Sequence, residues 1–81
     1  MATKDDLCVW VVGALNALGG SGRIVEICKY IWKNHEAELR SSGDLFFTWQ
    51  YDVRWAGQKL RDGGTLVPAH NNRNAPWKLA N

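Results

Sequence analysis

Cysteine is scarce in this chain of 81 residues: Cys8 and Cys28 are the only two. Neither has a second cysteine close by, and the paired CxxC spacing of a zinc site is absent. Each falls inside a helical pattern, where a reduced thiol serves as a small apolar group. A disulfide between them stays open on sequence grounds, although a cytosolic chain would keep both reduced. Long apolar runs are also missing. The longest, Leu7–Leu18, is interrupted by Gly13 and Asn16 and falls short of the roughly 18 residues that a membrane span needs. The N-terminus has no basic region followed by a small-residue cleavage site, so no secretory signal is expected and the location is read as cytoplasmic. Internal repeats and coiled-coil heptads are absent, which makes a monomer or weak homodimer the default. Catalytic constellations are absent too. His35 and His70 have no cysteine or serine partner at an informative spacing, and no PD…ExK-like, HNH-like or glycine-rich phosphate motif occurs. No enzyme activity, cofactor, metal or small-molecule substrate is expected.

What remains is one small domain, 1–81, with 46% hydrophobic residues, too apolar for a disordered chain. A domain this size buries about 60% of its unfolded surface, which leaves no room for a core plus a deep cleft. The net charge of +2 hides an uneven distribution. Residues 1–52 carry five cations against seven carboxylates, a net of −2. Residues 53–81 carry Arg54, Lys59, Arg61, Arg73 and Lys78 against Asp62 alone, a net of +4. Positive charge gathered in the last third is the footprint of a phosphate-facing surface.

Three helices and a hairpin can be read along the chain. Thr3-Lys4-Asp5-Asp6 opens the first helix, with Thr3 placed to cap the Asp6 N–H and two carboxylates at the positive end of the helix dipole. Leu7, Val11, Leu15 and Leu18 form one apolar stripe, widened by Trp10, Ala14 and Ala17. Gly19-Gly20 ends that helix, and Ser21-Gly22 continues the break. Ile24, Ile27, Cys28 and Ile31 mark the buried face of a second helix. Asn34-His35 is expected to kink or end it, with Glu36–Arg40 adding a further turn in the first case. Ser41-Ser42-Gly43-Asp44 reads as a loop. The third helix is expected after Phe46-Phe47, with Thr48 as its N-cap and Val53, Ala56, Gly57 and Leu60 inward. Gly57 in a helix interior costs about 1 kcal/mol relative to alanine, so it predicts close approach of the first or second helix. Gly63-Gly64 ends the third helix. Thr65-Leu66-Val67 and Trp77-Lys78-Leu79 read as the two strands of a hairpin around the polar loop Pro68–Pro76. Three helices followed by a β-hairpin is the order of an α+β winged helix-turn-helix.

On a helical wheel, Tyr51, Trp55, Gln58 and Asp62 lie opposite the core stripe of the third helix, with Arg54 and Arg61 on one flank and Asp52 and Lys59 on the other. A helix of this kind suits the major groove of double-stranded DNA, where arginine reads guanine and glutamine reads adenine. Arg54 and Gln58 could reach neighbouring bases. Gln50 and Tyr51 stand at the N-terminal end, where helix-turn-helix readers make many base contacts. Arg61 and Lys59 suit phosphate. Asn72 and Arg73, in the loop His70-Asn71-Asn72-Arg73-Asn74, would form a wing on the backbone or minor groove.

The pattern Trp49-Gln50-Tyr51-Asp52-Val53-Arg54-Trp55-Ala56, followed by Leu60, Gly63-Gly64, Leu66 and Trp77-Lys78-Leu79, resembles the N-terminal winged-helix domain of Mrr-type restriction proteins. Leu15, Leu18-Gly19-Gly20, Ile24 and Glu26-Ile27 resemble its first-to-second helix junction. The resemblance implies a reader of modified DNA in a restriction system, and related winged helices read N6-methyladenine. It carries no nuclease domain over to this chain. A methyl on adenine projects an apolar group into the major groove and removes one N–H donor. Trp49, Tyr51 and Trp55 could meet the methyl, with Gln50 or Gln58 supplying the amide. Trp55 has two competing uses here: outward on the wheel, structural by the family pattern. Trp49 lies near the core side of the wheel, and Trp77 reads as core. The partner expected is double-stranded DNA, adenine-methylated in the sharper form of the reading, with the protein on the nucleoid. The alternatives are a transcription regulator of an unmodified operator and a protein-interaction winged helix.

Overall fold

The computed structural model describes residues 2–68 and 75–80. Helix α1 spans Lys4–Ala17. At its start the Thr3 backbone N–H donates to the Asp6 carboxylate at 2.9 Å, and Asp5 and Asp6 meet the positive end of the helix dipole. Leu7, Trp10, Val11, Ala14 and Leu15 are buried, whereas Leu18 lies past the last turn and stays 36% exposed. The chain turns on Gly19 and Gly20, at φ of 89° and 104°. These are left-handed conformations that a Cβ disfavours, and the Gly20 N–H closes the turn on the Leu15 carbonyl at 2.7 Å.

Ser21–Gly22 does more than continue that break. It forms a short strand, β1, antiparallel to β2 at Trp77–Lys78, with Ser21 opposite Lys78 and Gly22 opposite Trp77. The Leu79 N–H extends the pairing to the Gly20 carbonyl at 2.9 Å. The expected hairpin between 65–67 and 77–79 is present as a single antiparallel bridge, Leu66 to Leu79. The Val67 N–H donates to Lys78 and the Ala80 N–H to Thr65, both at 2.9 Å. Thus β2 is held on both edges, by β1 and by the 65–67 segment. A two-residue Ser-Gly strand carries no period-2 apolar signal, so pattern alone could not reveal β1.

Helix α2 spans Ile24–Arg40. The Arg23 N–H donates to the Glu26 carboxylate at 2.9 Å and fixes its first turn. It kinks where expected, at His35 (φ −130°, ψ 19°), and continues. The kink brings the His35 ring flat against Trp10, with centroids 4.0 Å apart and planes 9° apart. Beyond it Leu39 is fully buried, which at about 1.5–3 kcal/mol holds the last turn on the core.

Helix α3 spans Leu45–Asp62 and begins one turn before the expected start. The reason is Leu45, which is buried and extends the inward stripe of Trp49, Val53 and Ala56 by one more turn. Thr48 is therefore not the N-cap. It sits within α3, and its hydroxyl donates to the Asp52 carboxylate at 2.8 Å. Asp52 is only 9% exposed, although the wheel puts it on a flank.

Helix α1 packs chiefly on α3 and more lightly on α2. Leu7, Val11, Leu15, Ile27, Ile31, Val53 and Leu66 form the fully buried centre. Gly57 does accommodate a close neighbour, but not another helix. A Cβ there would lie 2.6 Å and 2.7 Å from ring atoms of Trp77. The small residue is a seat for the closing strand's indole.

Candidate functional site

The outward surface of α3 is a stripe that repeats every three or four residues. Phe47, Gln50, Tyr51, Arg54 and Gln58 are all exposed. Phe47 is 82% exposed and Tyr51 78%, one helical turn apart on the same face. Arg54 follows on the next turn. The Gln58 side chain is also outward, and its amide donates to the Asp62 carboxylate at 2.9 Å. The structure thus brings Gln50, Tyr51, Arg54 and Gln58 onto one accessible face; the wheel puts Tyr51 and Gln58 outward and Arg54 on a flank.

Other expected residues lie elsewhere. Trp49 is not on this surface. It is 5% exposed and its ring lies parallel to Trp32, with centroids 6.0 Å apart and planes 6° apart. Its spacing of four from both Leu45 and Val53 turns it inward. Trp55 is half-buried against the core. The Lys4 ammonium lies 4.7 Å from its ring centroid and that of Lys59 lies 5.0 Å away. The first turn of α1 therefore covers the outward position that the wheel gives Trp55. Thr48 keeps its hydroxyl on Asp52. Arg61 is half-buried, with its guanidinium 4.9 Å from the Trp77 ring centroid. Asn72 and Arg73 lie outside the described residues.

Sequence reading missed Phe47, because it placed the helix start after this residue. Counting back one turn from Tyr51 would have found it. It also placed Lys59 with Arg61 as a phosphate contact. In the structure Lys59 is exposed on the α1 side of the helix, with its ammonium 3.8 Å from the Asp5 carboxylate.

Beside the α3 stripe runs a groove against α2. Its larger part is a cavity of about 520 Å³ lined by Val25, Cys28, Lys29, Trp32, Phe46, Trp49 and Gln50. A smaller one of about 250 Å³ adjoins it, where Gln50, Tyr51 and Arg54 meet Ile24, Val25 and Cys28. Burial pushes the Cys28 thiol above its ordinary value, with Arg54 partly opposing the shift. Burial also raises Cys8, with Lys59 opposing and Asp5 adding to the rise. Both cysteines are free, and at neutral pH both are thiols rather than reactive thiolates.

No group of three or more histidine, cysteine or carboxylate side chains among the described residues could hold a metal ion. No helix among them is long and apolar enough to cross a membrane. Comparison with protein-family models, with curated proteins and with solved structures finds no match to this chain.

Proposed function

We propose that this chain is a winged-helix module that binds double-stranded DNA, with α3 as the helix that enters the major groove. The carrying observation is the uncovered stripe Phe47, Gln50, Tyr51, Arg54 and Gln58, which combines aromatic, amide and guanidinium groups on one helix face. The major groove accepts one α-helix, and these side chains match its acceptor edges and methyl groups. The element order supports the fold assignment: α1, β1, α2, α3, then a chain segment that returns through β2. Lys78 is exposed on β2, and Arg73 belongs to the loop proposed as the wing. Such a protein would act on the nucleoid, in the cytoplasm.

The sharper form of the proposal is a reader of adenine-methylated DNA, in keeping with the resemblance to Mrr-type domains. The aromatic surface available for a methyl group is Phe47 and Tyr51, with Gln50 on the same face for the remaining base edge. Trp49 and Trp55 drop out of that role, because one is buried and the other is covered by α1. A titration of unmethylated, hemimethylated and fully methylated duplexes of one sequence, run across a salt series, tests both levels. Binding that strengthens with adenine methylation is the expected result. Equal binding to all three leaves a reader of unmodified DNA. No binding to any duplex at about 50 mM salt removes the DNA proposal, since even non-specific binders hold DNA there.

A further inference from the structure

The apolar groove between α2 and α3 is not needed to present the outward stripe to DNA. Its α2 wall runs from Ile24 to Trp32, a length of about 12 Å at 1.5 Å per residue. That is two turns of a helix laid alongside. Val25 is 50% exposed on this wall, and Trp32 and Phe46 are half-buried around the larger cavity. Among the described residues, the charged ones lining the two cavities are Lys29 and Arg54, and no carboxylate lines either one. At the Trp32 end, Arg40 holds its guanidinium 5.2 Å from the Trp32 ring and 5.7 Å from the Phe46 ring. It also pairs with Glu36 at 2.7 Å, one turn earlier on the exposed side of α2.

We infer that this groove receives an amphipathic helix of a partner protein, one that carries acidic side chains beside its apolar anchors. A helix lying in such a groove presents anchors at i, i+3 or i+4, and i+7, spaced to fill two turns. Aliphatic anchors fit the apolar walls, and flanking carboxylates meet Lys29 and Arg54. Charge complementarity of this kind selects the partner and sets its register. A stacked nucleobase is the weaker occupant. It needs a free aromatic face, whereas Trp32 has Trp49 parallel to it at 6.0 Å and Arg40 at 5.2 Å. Trp49 itself is 5% exposed. Rings already paired in this way still offer apolar contact to methyl and methylene groups.

Occupation has a consequence for the neighbouring face. Gln50, Tyr51 and Arg54 line the groove and also belong to the outward stripe of α3. On the reading that α3 enters the major groove, a helix seated there blocks it, so the acidic partner and DNA exclude each other.

The test uses the full chain and three synthetic helical peptides of about 16 residues. The first carries leucine at i, i+3, i+4 and i+7 with flanking glutamates. The second replaces each glutamate by lysine, and the third replaces each leucine by alanine. Tryptophan fluorescence reads affinity, and backbone amide shifts read location. The leucine–glutamate peptide should bind roughly tenfold more tightly than the lysine peptide and shift Val25, Cys28 and Gln50, while the alanine peptide does not bind. Lys29→Glu with Arg54→Glu should reverse the charge preference. Both side chains are exposed, and an unchanged melting transition confirms that the variant folds. Equal binding of the two leucine peptides, no binding of either, or shifts on another face overturns the inference. So does a single-stranded oligonucleotide that shifts the groove residues where the peptides do not. These arms contain no duplex, so their failure is distinct from failure of the DNA proposal. Displacement of bound duplex by the acidic peptide then tests the exclusion.

Discussion

Gly57 shows how one residue joins the helical body to the sheet. Its missing side chain leaves room for the Trp77 ring, whose atoms would lie 2.6 Å and 2.7 Å from a Cβ at this position. Two effects compete in Gly57→Ala. The helix gains about 1 kcal/mol from the better helix former. The overpacked ring costs about 1–3 kcal/mol, because the indole must shift off its seat. The expected net result is destabilisation, read as a fall in the urea midpoint at constant slope. The decisive comparison is the same substitution in a Trp77→Ala background. There the clash is gone, only the helix gain remains, and Gly57→Ala should stabilise. An effect of the same sign in both backgrounds would show that Trp77 is not what Gly57 accommodates.

At the scale of the element, α3 shows what a sequence pattern carries and what it leaves out. Period identifies its inward stripe and puts Tyr51 and Gln58 outward with Arg54 on a flank, whereas Gln50 is picked out only by its place at the N-terminal end. Period does not find the start, because Phe46-Phe47 are weak helix formers and Thr48 has the chemistry of a cap. Leu45 decides the matter by burial, which is tertiary information. Trp55 has the same lesson: its wheel position is outward, but the first turn of α1 lies over it. Thr48 acquires a different role inside the helix, where it satisfies the buried Asp52 carboxylate at 2.8 Å. Thr48→Val keeps the shape and removes the donor. The expected cost is about 1–3 kcal/mol, because a buried acceptor loses its partner. The measurement is again the urea midpoint. Asp52→Asn in the Thr48→Val background should recover part of the loss, since the neutral amide tolerates burial better than an unpaired carboxylate. A Thr48→Val variant as stable as the parent would mean that water replaces the hydroxyl without penalty.

At the scale of the whole molecule, three helices in order and a returning strand were legible from capping, period and glycine breaks. The β1 strand was not, because its partner β2 lies at the far end of the chain and Ser21-Gly22 has no apolar pattern of its own. The charge asymmetry was also legible, but a sum over residues 53–81 does not say where each cation points. The structure divides them. Arg54 stands on the open face of α3. Lys59 points to α1, with its ammonium 5.0 Å from the Trp55 ring and 3.8 Å from Asp5. If DNA lies along the Phe47–Gln58 stripe, these two cations contribute differently to counterion release. Each phosphate contact steepens the fall of log K with log salt by about 0.9. Arg54→Ala should therefore weaken duplex binding and, where Arg54 meets phosphate, flatten that slope by about 1. If it reads a base instead, the loss should depend on duplex sequence and leave the slope nearly unchanged. Lys59→Ala should leave both slope and sequence preference as in the parent, while lowering stability by a few tenths of a kcal/mol, the scale of an exposed ion pair. A Lys59→Ala slope change as large as that of Arg54→Ala would place DNA across the α1–α3 junction and not on the stripe, and the reading face would have to be redrawn around Lys4, Trp55 and Lys59.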